Sequence, residues 1–267
     1  MAETDQVTIT QALARSRLYL LLATAFRYPD SRVKAALLEG PLLDDAEAAA
    51  TLLSAEEQSV LRPLLTALRA AVRGATPEAL EEGFVQSLGH LESGECPPYE
   101  TRYGPGHIFQ QTQEISDIAG FYRAFGLQMA EAAVERPDHI AIEFEFLHFL
   151  TYKEAYALRH HGEESAEICR TGQRTFLREH PGRWVPLFAR LLARRAGGGF
   201  YAALADLAVL WVATECRRLG VTPPLIQDGE LRQTDLEPEG AGFTCGAGEC
   251  GARELDELTG SREQPAL

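Results

Sequence analysis

Two long stretches of this chain are apolar on nearly every side when wound as helices, and this limits the fold more than any single motif does. From Ile9 to Tyr28, residues Leu13, Leu18, Leu20, Leu21, Leu22, Ala25 and Phe26 leave only a thin polar strip. From Ile140 to His161 a second stretch runs without glycine or proline. A helix that is apolar on more than one face belongs in the middle of a bundle. The second stretch opens ambiguously, because Ile140, Ile142, Phe144 and Phe146 alternate with Ala141, Glu143 and Glu145 as a half-buried strand would. Its length decides for helix. Asp138 follows Pro137 as an N-cap, and Arg159, His160 and His161 fall where the C-terminal end of the macrodipole favours bases.

The rest of the chain is punctuated as further helices. Pro29-Asp30-Ser31 stops the first one, Ser31 caps a short helix through Leu38, and Gly40-Pro41 ends it. Ser54-Ala-Glu-Glu57 is a capping box for a helix that reaches Arg73-Gly74, with a kink expected at Pro63. Thr76-Pro77 supplies a cap and a first-turn proline ahead of Leu80, Phe84, Val85 and Leu88. Helical spacing returns from Gln113 to Leu127, from Glu163 to His180, from Trp184 to Arg195 and from Phe200 to Leu219, with turns at Pro181-Gly182 and Gly197-Gly-Gly199. The fold class is therefore all-α: one large bundle-like domain of about ten helices over residues 1–220. Residues 221–267 form an acidic, glycine-rich, aperiodic tail carrying Cys245 and Cys250, expected to be mostly disordered.

With 45% hydrophobic and 24% charged residues, the 267-residue chain has the composition of a folded globular protein. The formal charge of −14 argues against a nucleic-acid partner, since phosphate backbones are bound mainly through Lys and Arg. Nine acids against two arginines between Asp228 and Glu257 account for half of that charge, so the body is only mildly acidic. Five scattered cysteines, an odd number, fit a reducing compartment and a cytoplasmic location. Arg15 and Arg17 ahead of Leu18–Ala23 suggest a secretory signal, but Glu3 and Asp5 occupy the leading region and the pattern continues into Phe26 and Tyr28, so a helix is the better reading. No stretch approaches the roughly 20 uninterrupted apolar residues of a membrane span, and no membrane insertion is expected.

Phosphate loops, nucleophile elbows and dinucleotide fingerprints are missing, which removes the commonest enzyme classes. Glu145-Phe-Leu-His148 has the Glu-x-x-His spacing of a helical di-iron ligand pair, but the chain has no second such pair, and a salt-bridged helix face explains the spacing as well. Together with Cys245 and Cys250 these residues define an alternative reading, a helical metal-binding or redox protein. The four-residue spacing of the two cysteines lacks the second pair that marks a zinc site. Two proline-bearing segments are more informative. Cys96-Pro-Pro-Tyr-Glu-Thr-Arg-Tyr-Gly104 joins a rigid turn to two tyrosines and a carboxylate, either a contact surface for a peptide or a connector whose tyrosines pack on the body. Pro137-Asp138-His139 reads as a helix cap with His139 at the surface, or as part of a binding site.

These segments resemble a known family. Glu95-Cys-Pro-Pro-Tyr-Glu-Thr-Arg-Tyr103 is similar to the Glu-x-x-Pro-Tyr-Glu-x-x-Tyr loop of the TorD/DmsD/NarJ chaperones, and Glu135 to Phe146 resembles that family's Pro-Asp-His segment with its Glu-Phe-rich helix. Tyr19 to Phe26 is similar to the family's first helix, and Phe176-Leu-x-x-His180 with Trp184 to a later stretch. Cys96-Pro97 and Thr101 depart from a loop in which many relatives show Ser, and the Cys245/Cys250 tail has no counterpart. The resemblance implies a cytoplasmic, non-enzymatic chaperone, monomeric or weakly dimeric. Its partner would be the catalytic subunit of a molybdopterin oxidoreductase with its signal peptide, held back from export while the molybdenum cofactor is inserted. Tyr99, Glu100, Tyr103, Asp138 and His139 become the expected client contacts, with Asp138 and Glu100 accepting from arginines. The chaperone would hold no cofactor of its own and would meet molybdopterin guanine dinucleotide only transiently, through the client.

Overall fold

The computed structural model describes residues 3–89, 95–104, 108–130, 135–227, 229 and 231–232. Among these residues it folds ten α-helices and one 3-10 turn, with no strand. In chain order they are α1 (Glu3–Ala25), α2 (Ser31–Leu38), α3 (Leu42–Ala50), α4 (Ala55–Arg73), α5 (Pro77–Ser87), the 3-10 turn (Glu100–Arg102), α6 (Ile108–Ala124), α7 (Ile140–His160), α8 (Glu163–Glu179), α9 (Pro181–Ala196) and α10 (Gly199–Leu219). Cys245 and Cys250 lie outside the described residues.

The two helices that are apolar on several faces pack together at the centre. Ser16 of α1 meets His148 of α7, and Arg27, just past the end of α1, meets Glu145 nearer the start of α7, so the pair runs antiparallel. Their aromatic residues Tyr19, Phe26 and Phe144 join Phe188 of α9 and Trp211 of α10 in one continuous core. The alternation at the start of α7 is only apparent. A strand would put Glu143 and Glu145 on one face, whereas a helix separates them by about 200°. Glu143 is fully buried, while Glu145 is exposed and paired with Arg27.

Local chemistry explains the boundaries and the departures from expectation. Ser54 and Glu57 form the capping box of α4, and Glu57 also receives Arg218 of α10 at 2.7 Å. Thr76 caps α5 ahead of Pro77. The cap of α2 is Asp30, not Ser31: its carboxylate accepts from the backbone N–H groups of Arg32 and Val33, both at 2.9 Å. Pro63 lies inside α4, which continues unbroken through it. Pro181 and Gly182 form the first turn of α9 instead of separating two helices, as Pro at N1 permits. Helix α3 was not expected. It buries Leu43, Ala46, Ala49 and Ala50 and carries Asp44 and Asp45 in its first turn, where the macrodipole favours them. By length and composition α10 alone among the described helices could cross a membrane, yet Leu204, Ala208 and Trp211 face the core.

Charges also meet inside this core. Arg15 of α1, with a 3% exposed side chain, donates to both oxygens of Glu215 on α10 and to Glu154 of α7 at 2.9 Å. Its second terminal nitrogen also reaches Gln173 of α8, which itself donates to Glu154. Burial opposes the charge on Arg15, but Glu215 and Glu154 outweigh it and hold the guanidinium protonated. One side chain thus ties four helices. Arg15→Met should cost about 3–5 kcal/mol, because two buried carboxylates lose their shared cation. Urea unfolding followed by circular dichroism measures this, and a loss below about 1 kcal/mol would contradict it.

Candidate functional site

The two proline-bearing segments come together and fasten each other. Ile140 N donates to Pro98 O and Glu100 N to Asp138 O, each at 2.9 Å, and Tyr99 and His139 form an isolated antiparallel bridge. Asp138 has no exposed surface. Its carboxylate accepts from Thr101 Oγ1 at 2.7 Å and backbone N at 3.3 Å, and from Arg136 Nε at 2.9 Å and Nη2 at 2.7 Å. With Asp138 so engaged, the N-cap of α7 falls to His139, whose Nδ1 accepts from Ala141 N at 3.2 Å. That acceptor role puts the imidazole proton on Nε2, which faces Glu135 at 3.8 Å.

His139 is therefore not at the surface. It is 1% exposed, and burial pushes its pKa down from 6.5 to about 4, against the upward pull of Glu135. Tyr99 packs edge-on against it, donates to Glu135 at 3.0 Å and lies 4.6 Å beneath the Arg136 guanidinium. Tyr103 is also buried, donating to Pro97 O at 2.8 Å with its ring against Trp184.

In front of this junction lies a cleft of about 720 Å³, between α6, the 3-10 turn and the α8–α9 junction. Its lining includes Glu100, Tyr103, Glu114, Phe121, His180 and Arg183. Glu100 accepts from His180 Nδ1 at 2.9 Å, and Phe121 stacks edge-on against the same imidazole. Behind Glu100, the fully buried Glu143 accepts from Trp184 Nε1 at 3.0 Å. Burial first, and then the neighbouring Glu100 carboxylate, hold the Glu143 carboxyl well above the usual range. Both influences favour the uncharged form of Glu143, whose other oxygen, Oε1, is buried without a hydrogen-bond partner among the described residues.

Of the five expected contacts, Glu100 and Tyr103 line the cleft, while Tyr99, Asp138 and His139 sit in the fastening behind it. The arginine that Asp138 receives is the chain's own Arg136. Glu114, Phe121, Arg183 and Arg232 were not singled out, because no local pattern marks a wall assembled from separate helices. His180 had carried a signal only as part of the Phe176-Leu-x-x-His180 resemblance. Glu145 and His148 do not meet a third ligand: Arg27 occupies the first and Ser16 the second, at 2.8 Å. Among the described residues no group of three or more His, Cys, Asp and Glu side chains could hold a metal. Cys96, Cys169 and Cys216 are free and buried, and burial pushes the Cys96 thiol up to about 12.

The described residues thus form an all-helical body with an open, mixed-charge and aromatic cleft. A family model described as the nitrate reductase delta subunit matches residues 51–190, which contain both proline junctions. The chain is 31% identical to the perchlorate reductase assembly chaperone protein of Dechloromonas aromatica (strain RCB), over 76% of its own length and 89% of that protein's. It is 30% identical to the selenate reductase assembly chaperone protein of Thauera selenatis, over 80% and 93% of the two chains. Chaperone protein TorD of Aliivibrio fischeri (strain ATCC 700601 / ES114) is 25% identical over 56% of this chain and 69% of its own. The chain belongs to the nitrate reductase delta subunit family, that of the NarJ- and TorD-type chaperones.

The fastening should be visible in the pH dependence of stability. The His139 pKa is depressed in the folded state, so its contribution is complete above pH 6.5 and is lost as pH falls toward about 4. Between these limits the wild type should lose about 3 kcal/mol more than His139→Gln. The Glu143 pKa is raised, so its contribution is complete below 4.5 and is lost as pH rises, and Glu143→Gln should gain on the wild type with increasing pH. Urea titrations across this range measure both slopes, and parallel curves for wild type and variants would contradict the burial account.

Proposed function

We propose that this protein is an assembly chaperone that captures the catalytic subunit of a molybdopterin oxidoreductase through the cleft between α6 and the α8–α9 junction. The observation that carries this reading is the cleft itself, lined by acidic, basic and aromatic side chains on a body matched along most of its length by proteins named assembly chaperones. In this reading the captured element is an extended, arginine-bearing segment such as a twin-arginine signal peptide. Glu100 and Asp117 attract its guanidinium groups, and Phe121 and Phe125 accept its apolar residues. Arg183 Nε, buried and without a hydrogen-bond partner among the described residues, is a donor for a client carbonyl. Each charge-assisted contact contributes about 1.5–3 kcal/mol, so a few of them give micromolar or tighter binding.

The client is held in the cytoplasm while its molybdenum cofactor is inserted, and nothing is turned over by the chaperone. Asp138 and His139 act here through the scaffold: they fix the loop that presents Glu100. Their alanine variants should therefore lower client affinity together with thermal stability.

Co-expression with candidate catalytic subunits, followed by titration calorimetry with their N-terminal peptides, tests the reading. Asp117→Lys, at an exposed cleft position, and Phe121→Ala should each weaken binding at least about tenfold with helix content unchanged. Unchanged affinity in both variants, or turnover of a small molecule by the isolated protein, would count against it.

A further inference from the structure

Beyond α10 the chain turns back across the cleft. Ile226 N donates to Arg183 O at 3.1 Å, and its side chain is buried against Gly104, where a Cβ would lie 3.3 Å from Ile226 Cδ1. After Gly229, at φ +90°, Leu231 pairs antiparallel with Tyr103. Arg232 N donates to Arg102 O at 2.8 Å, and the Arg102 guanidinium returns a bond to Arg232 O at 2.9 Å. The Arg232 guanidinium grips both oxygens of Glu114, at 2.7 and 2.9 Å, and Gly104 O at 3.0 Å. Ile226 and Arg232 are both part of the cleft wall.

This is how a visiting peptide is bound: strand-like pairing to an exposed backbone edge, and a bidentate arginine on a carboxylate. The attachment is shallow. Among the described residues of 221–232 only Ile226 is buried, and Leu225 is 54% exposed. The match to the family model ends at residue 190, ahead of this segment.

We infer that the described residues of 221–232, namely 221–227, 229, 231 and 232, form a built-in competitor for the cleft. It fills the Tyr103 edge and the Glu114 carboxylate with its own backbone and Arg232, and an extended arginine-bearing client segment displaces it from both. The inference rests on the proposed client reading and adds to it a register, an anchor in Glu114 and a gate. Apparent affinity is then lowered in proportion to the fraction of molecules in which the segment is docked.

The test uses the full chain and a synthetic peptide carrying an arginine pair followed by an apolar run. Arg232→Ala should bind this peptide about fivefold more tightly than wild type, or better. Ile226→Ser loosens the segment without changing charge and should tighten binding in the same direction. Hydrogen exchange supplies the second readout. Adding the peptide to wild type should speed exchange at the Ile226 and Arg232 amides while the Glu100 and Ile140 amides stay protected. Equal or weaker binding by both variants overturns the inference, as does tightening by Arg232→Ala alone, which would reflect charge. Extra or unchanged protection at Ile226 and Arg232 also overturns it, by making the segment part of the docking face or a bystander. Binding by neither wild type nor variants brings down the client reading, and this inference with it; equal binding by all three proteins brings down this inference alone.

Discussion

Asp138 is a carboxylate with no exposed surface, and the arrangement of the site depends on it. Its acceptor capacity holds Thr101 and Arg136, which brings the proline loop against the start of α7 and sets the 3-10 turn that carries Glu100. A buried charge of this kind is tolerated only when fully paired, and here every partner comes from the two proline-bearing segments. The same engagement moves the cap of α7 one residue on, to His139, whose pKa burial depresses against the upward pull of Glu135 and Asp138. Asp138 and His139 are thus both buried, each hydrogen-bonded to groups of its own chain.

What the fastening presents is a packed wall of charged and aromatic side chains. Glu143, its carboxyl pushed above the usual range by burial, lies behind Glu100, and Glu100 reaches His180 at the lip of the cleft. Tyr103, Trp184 and Phe188 pack beneath, so the wall has little freedom to move. Rigidity matters for capture, because a preorganised surface loses less conformational entropy when an extended chain settles on it. The Arg15 cluster serves the bundle in a comparable way farther along α7, tying α1, α8 and α10 to the helix on which the site is mounted.

Much of the fold was legible in the sequence because it rests on short-range rules. Two-sided apolarity marked α1 and α7 as central, the Ser54 box and Thr76-Pro77 fixed two helix starts, and the length of the run after Pro137 overruled its strand-like opening. Helix α3 escaped because four of its six final residues are alanine, which offers packing volume but little contrast in a hydropathy pattern. Site residues were legible only as motifs. Whether a carboxylate faces solvent or an arginine of its own chain is a tertiary fact, and the Arg136 beside Asp138 looked no different from a surface arginine. The cleft wall was illegible for the same reason: Glu114 and Arg232 meet across 118 residues of sequence. The resemblance to the chaperone family picked out two segments that meet in the structure, but not which side chains face outward.

The central claim is that the cleft beside α6 receives another polypeptide. Hydrogen exchange on the full-length protein, alone and in complex with a co-purified catalytic subunit, measures that most directly. The account predicts new protection concentrated on residues 114–125 and on the α8–α9 junction at 179–183. Protection confined to another face of the bundle, or none at all in a complex that stays intact, would contradict it.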